Sequence, residues 1–148
     1  MPNTSLSDLG GKVNVNDPSP HTVPAIGDGT CKAGDLVGKN SAGVVQYTTG
    51  SGNLDEFIGI LMPRYDTDID TAIASGAACE ILEPKAGYRY RCKIEDPSAT
   101  LLAGEPFDIN EDGNGELEKT GDQETLHRAV LAKGVVSGDT YAEMRWGM

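Results

Sequence analysis

The sequence predicts an all-β protein: a small barrel or sandwich of short strands, with a hairpin unit used twice and an extended N-terminal arm. Three observations predict it. The first is an internal echo. Ala33-Gly34-Asp35-Leu36-Val37 leads through a turn at Asn40–Gly43 into Val44-Val45-Gln46-Tyr47, and Ala103-Gly104-Glu105-Pro106-Phe107 leads through an Asn/Asp/Gly turn into Glu116-Leu117-Glu118-Lys119. A unit of this kind, repeated, is the mark of a modular β architecture. The second is composition. Of 148 residues, 19 are Gly and 8 are Pro, which favours turns over long helices. The third is period-two alternation in several short runs.

Taken in order, residues 1–30 read as the arm. Pro2, Pro18, Pro20 and Pro24 bias it towards extended backbone, and Val13 and Val15 alternate with polar neighbours. Such a segment is either a disordered terminus or an arm that orders by strand addition, with Val13 and Val15 as its pegs. Residues 31–148 read as one β-rich domain, with strands expected at residues 34–38, 44–48, 57–62, 77–82, 87–94, 106–109, 116–119, 129–136 and 140–146. Ala72-Ile73-Ala74 reads as a single helical turn, and the Gly/Ser-rich residues 48–55 as a mobile loop.

Composition also limits function. Hydrophobic residues are 38% and aromatics 5% of the chain, a lean core suited to a protein that gains stability from neighbours. The formal net charge of -11 repels phosphate backbones and anionic bilayers at long range, so neither nucleic acid nor membrane is an expected partner. The N-terminus has no basic and apolar leader, and no apolar run is long enough for a helical span.

One stretch reverses the sign. In residues 84–94, Arg89, Arg91 and Lys93 fall on one face of a strand, and Tyr88, Tyr90, Cys92 and Ile94 on the other. Two readings stand: the basic face pairs with acidic strands of its own domain, or it is a contact stripe for an acidic partner, including the acid-rich residues 96–124 of another copy. Cys31, Cys79 and Cys92 lack C-x-x-C spacing. Cys79 and Cys92 read as small buried hydrophobes, with a cross-strand bridge as the alternative. His21 and His127 sit in no catalytic signature.

Metal binding has two candidate sites. Asp108, Asn110 and Asp112 occupy positions one, three and five of a calcium-loop pattern with Gly113 at six. Lys119 stands where that loop needs a bidentate Glu, and the flanks are not helical, so an Asp/Asn/Gly hairpin turn is the simpler account. Asp66, Asp68 and Asp70 form a second acidic group. No phosphate-binding loop, nucleophile elbow or zinc-protease motif occurs. The expectation is a protein without catalysis and without a resident cofactor, calcium being the one candidate ion.

The pattern resembles the head decoration (cement) proteins of tailed viruses. The shared marks are a Pro-containing polar arm, the A-G-D-x-V run Ala33–Val37, the G-V-V-Q return strand Gly43–Gln46 and the I-G-I-L strand ending at Leu61. The resemblance implies a non-catalytic virion protein on the capsid exterior, made in the host cytoplasm. Its partners would be the major capsid protein and further copies of itself, as a homotrimer, with the arm adding a strand to the shell or to a neighbour. Other virion components (a turret, fibre base or tail-tube module) and a small calcium-dependent β-barrel binding module are the alternatives.

Overall fold

The computed structural model describes residues 2–48, 58–64, 68–110, 114–120 and 128–147. The strands are β1 (His21–Ile26), β2 (Leu36–Lys39), β3 (Val45–Tyr47), β4 (Gly59–Leu61), β5 (Ala78–Glu83), β6 (Arg89–Lys93), β7 (Pro106–Ile109), β8 (Leu117–Lys119), β9 (Ala129–Leu131) and β10 (Tyr141–Trp146). They form two five-stranded antiparallel sheets, β1-β5-β4-β2-β3 and β6-β10-β9-β7-β8. Each sheet curls until its flanks touch through one parallel bridge, Ile26 to Val44 and Ile94 to Leu117, without closing into a barrel.

The two orders are the same order shifted by five strands, so the echo in the sequence is a repeat in space. Registers align residue by residue. Val37 pairs with Tyr47 and Gly59, as Phe107 pairs with Lys119 and Ala129. Backbone bonds recur at matched sites. Gly34 N–H donates to Leu61 O at 2.9 Å, and Gly104 N–H to Leu131 O at 2.8 Å. Met62 N–H donates to Glu80 O and Ala132 N–H to Glu143 O, both at 2.9 Å. Gly34 and Gly104 share a left-handed backbone, φ +94° and +98°, which a side chain would strain.

Apolar alternation divides the interior. Val37, Leu61 and Ile81 face a small cluster closed by Cys31 and Ile73. Their neighbours Leu36, Ile60 and Leu82 face the other way, into a larger cluster with Tyr90, Phe107, Leu131 and Met144 of the second sheet. The middle of the first sheet, where Leu36, Ile60 and Leu82 alternate with Val37, Leu61 and Ile81, is thus buried on both faces, each such side chain stabilising the fold by about 1.5–3 kcal/mol. In the second sheet the counterparts of Leu36, Ile60 and Leu82 are Pro106, Val130 and Arg145, and Arg145 is exposed.

The first thirty residues are part of this architecture. A 3-10 turn, Ser7–Leu9, leaves Leu6 fully buried and Val13 at 1% exposure, both inside the larger cluster. Residues 13–15 then lie along β6: Arg91 N–H donates to Val13 O at 2.7 Å and Val15 N–H to Arg89 O at 3.1 Å. Strand addition does occur, on the chain's own sheet. β1 falls inside the span read as arm and is an edge strand of the first sheet, where Pro24 is tolerated because its missing N–H faces outward.

The expected helical turn at Ala72–Ala74 does not form. Ile73 N–H donates to Cys31 O and Ile73 O accepts from Gly29 N–H, an extended pairing that buries the Ile73 side chain. The Gly/Ser-rich loop lies, apart from Thr48, outside the described residues.

Candidate functional site

The outer face of the second sheet collects the basic residues that alternation singled out. In β6 the even positions, Tyr90 and Cys92, go to the core. That turns Arg89, Arg91 and Lys93 outward. Antiparallel pairing sets Arg91 directly opposite Glu143 of β10. Glu143 is buried, its side chain only 3% exposed, and it gathers three cations: Arg89 Nη1 at 3.0 Å, Arg91 Nη2 at 3.4 Å and Lys133 Nζ at 3.9 Å. Three positive charges around one carboxylate leave a local excess of two on a chain whose formal net charge is -11. The carboxylate is bound by charge-assisted bonds and holds the guanidinium groups in place. Arg145 extends the positive face from the position opposite Arg89.

Lys93 is placed differently. Its Nζ lies 5.9 Å over the Tyr47 ring and 3.3 Å from Asn114 O, and its N–H donates to Gly34 O at 2.9 Å. It ties the halves together and stands apart from the Glu143 cluster. Of the two arm residues, Val13 is packed inside its own chain and Val15 is half-buried beside Arg89, so both hold β6 in position.

Next to Glu143 the surface opens into a recess of about 260 Å³, lined by Asn3, Leu9, Arg91, Lys133, Val135 and Glu143 among others. Asn3 is held there by its backbone: its carbonyl accepts from Thr140 N–H at 2.8 Å and its N–H donates to Asp139 Oδ1 at 2.6 Å. Lys133 and Glu143 escaped the basic-stripe reading. Lys133 stands alone after β9, and Glu143 is more than fifty residues from its arginines.

The acidic candidates are engaged elsewhere. Asp108 carries an ion pair with Arg128 Nε at 3.4 Å and accepts from Ile109 N–H, and the Asn110 amide donates to Glu116 Oε1. A cation already beside Asp108 and an amide N–H turned to Glu116 fit a polar hairpin better than a calcium cage. Asp112 lies outside the described residues. Asp68 accepts from Asp70 N–H, Asp70 accepts from the Ser7 hydroxyl, and Asp66 is outside the described residues. Among the described residues no group of three His, Cys, Asp or Glu is placed to hold a metal.

All three thiols are free, and Cys79 and Cys92 lie in different clusters, so the cross-strand bridge does not form. Burial and the neighbouring Asp28 push the Cys31 thiol up to about 12, and burial raises Cys79 and Cys92 as well. Protonated thiols are poor nucleophiles. His21 stands 3.4 Å from Glu83 on the exposed edge strand β1, and His127 is outside the described residues. Among the described residues no helix is long and apolar enough to cross a membrane.

A different titratable group sits where the halves meet. Asp35 is 1% exposed, and its Oδ2 accepts from Lys32 N–H at 2.8 Å. Burial raises its pKa to about 6, against the pull of that N–H and of the Lys93 and Lys32 charges. It follows Gly34, whose carbonyl takes the Lys93 N–H, so it belongs to the joint between the sheets and not to the outer face. No protein-family model matches this chain, and no curated protein shows significant similarity to it.

Proposed function

We propose that this chain is a non-catalytic structural protein that binds the outside of a viral capsid and stabilises it. Contacts would run from its cationic face to the major capsid protein and between copies of the chain, with a homotrimer as the working assembly. The observation that carries this reading is the Glu143 cluster: Arg89, Arg91 and Lys133 held around one buried carboxylate on a strongly acidic protein. A braced positive patch of this kind suits an acidic protein surface. Nucleic acid is disfavoured by the overall charge. The twin sheets and the marks shared with head decoration proteins support the same reading. Val13 and Val15 serve it by positioning β6.

The test is light scattering and sedimentation of the purified chain with empty capsid shells from its source. Saturable binding, at a stoichiometry set by a capsid symmetry axis, is the expected result. A chain that stays free at every shell concentration ends the proposal.

A further inference from the structure

The repeat supplies an internal comparison for every surface feature, and one recess departs from its counterpart. In the second half it lies between β6, β10 and the turn after β9, with Arg91, Lys133 and Glu143 at its walls and base. The registers carry these residues onto Pro24, Pro63 and Glu80 of the first half. A recess of about 430 Å³ occurs there too, lined by Pro24, Ala25, Pro63, Arg64, Cys79 and Glu80 among others. Fold alone therefore accounts for a hollow at this place. It does not account for two cations replacing two prolines.

Those cations have bonding capacity left. Among the described residues the Arg91 guanidinium makes one hydrogen bond, a long one of 3.4 Å to Glu143, and Lys133 meets the same carboxylate at 3.9 Å with its side chain 69% exposed. A guanidinium has five N–H donors and an ammonium three. Glu143 neutralises one charge and is shared with Arg89, so the recess favours an incoming anion.

An apolar rim adjoins it. Leu102 is 78% exposed and Val136 is 47% exposed, two of the three large hydrophobics that stand out on the described surface. Leu101 pairs with Val135, a recess residue, and a Cβ on Gly134 would lie 3.8 Å from Leu102 Cα. Charge in the hollow and aliphatic surface on its lip fit one kind of ligand.

We propose that this recess receives an acidic side chain from an extended segment of a protein partner, with an adjacent aliphatic residue of that segment resting on Leu102 and Val136. The carboxylate accepts from Arg91 and Lys133. The inference rests on the capsid-binding reading for the identity of the partner, and on the recess alone for the chemistry.

The experiment is heteronuclear NMR of the full chain titrated with acetyl-Leu-Glu-Leu-Glu-amide and with its Gln counterpart. The expected result is saturable shifts at Arg91, Lys133, Gly134 and Glu143 with the Glu peptide only. Lys133→Glu, at an exposed position, is expected to weaken that binding by about fivefold or more. Silence at these amides, equal response to the Gln peptide, or equal response at Ala25, Cys79 and Glu80 of the first-half recess overturns the proposal. Shell binding separates the two readings. A chain that takes the peptide but ignores shells ends the capsid reading and leaves the recess standing. A chain that binds shells while ignoring the peptide does the reverse.

Discussion

The first and second halves of this chain share one ladder and differ in what they do with its outer face. In the first half that face carries Leu36, Ile60 and Leu82, which are buried in the cluster shared with the second half. In the second half the matched positions are Pro106, Val130 and Arg145, and the face carries the Glu143 cluster beside them. The edges differ too. β6 is covered by residues 13–15. On β1, Pro24 contributes no N–H and its carbonyl accepts from Lys39 Nζ at 3.3 Å. Both devices keep an edge strand from recruiting another chain. Backbone pairing thus sets the scaffold twice, and chemistry resides where the copies diverge.

Exchanging matched residues between the halves tests whether their faces are distinct environments. Leu82→Arg places a charge in the larger cluster and is expected to cost more than about 4 kcal/mol, the range of buried unpaired charges. Arg145→Leu, the converse change on the open face, is expected to stay within about 0.5 kcal/mol. Chemical denaturation of both variants checks the pair, and comparable losses would mean that the two faces are not distinct environments.

The matched glutamates, Glu143 and Glu80, differ in the same way. Glu143→Gln removes the carboxylate that holds Arg89 and Arg91 and is expected to cost about 3 kcal/mol, at the lower end for a broken buried pair because the arginines are partly exposed. Glu80→Gln, at an exposed site, is expected to change stability by less than about 0.5 kcal/mol. Thermal melts at low and high salt read both. A Glu143→Gln loss no larger than that of Glu80→Gln would show that the cluster is not braced.

A smaller effect concerns Asp35, whose matched residue is Glu105. An unfolded Asp titrates near 3.8 and the folded Asp35 at about 6, so between those values the folded state holds the extra proton. Stability therefore falls as pH rises through that window. Asp35→Asn keeps an acceptor for Lys32 N–H, and it is expected to flatten that slope and raise stability at neutral pH by on the order of 2 kcal/mol. Melts from pH 4 to 7 decide it: a wild-type slope that persists unchanged in the variant assigns the dependence to another group.

Most of the scaffold was legible in the sequence because it depends on local signals. Gly34 and Gly104 announce their hairpins, and alternation through Arg89–Lys93 and Ala142–Trp146 marks two strands and their faces. β1 was not legible. Pro20 and Pro24 resemble linker punctuation, and an edge strand tolerates them for a reason visible only once β5 is beside it. Ile73 misled in the same way, since an alanine-flanked Ile reads as helical until Cys31 offers it a backbone partner. The arm's pegs were legible as pegs, while their socket was the chain itself. Of the candidate site, the cations of β6 could be read from their spacing. Glu143 and Lys133 could not, because nothing near either residue signals arginines on a distant strand.

The joint between the halves has a mechanical consequence. Gly115, in the turn of the second-half hairpin, accepts from Leu36 N–H and donates to Thr48 O, and a Cβ there would meet Leu36 O at 2.6 Å. With the Lys93-to-Gly34 bond, this makes the seam a set of backbone linkages between residues far apart in sequence. Drawing the two halves apart would require these bonds to break. A protein stitched in this way transmits a pull from one half to the other as a stiff coupling.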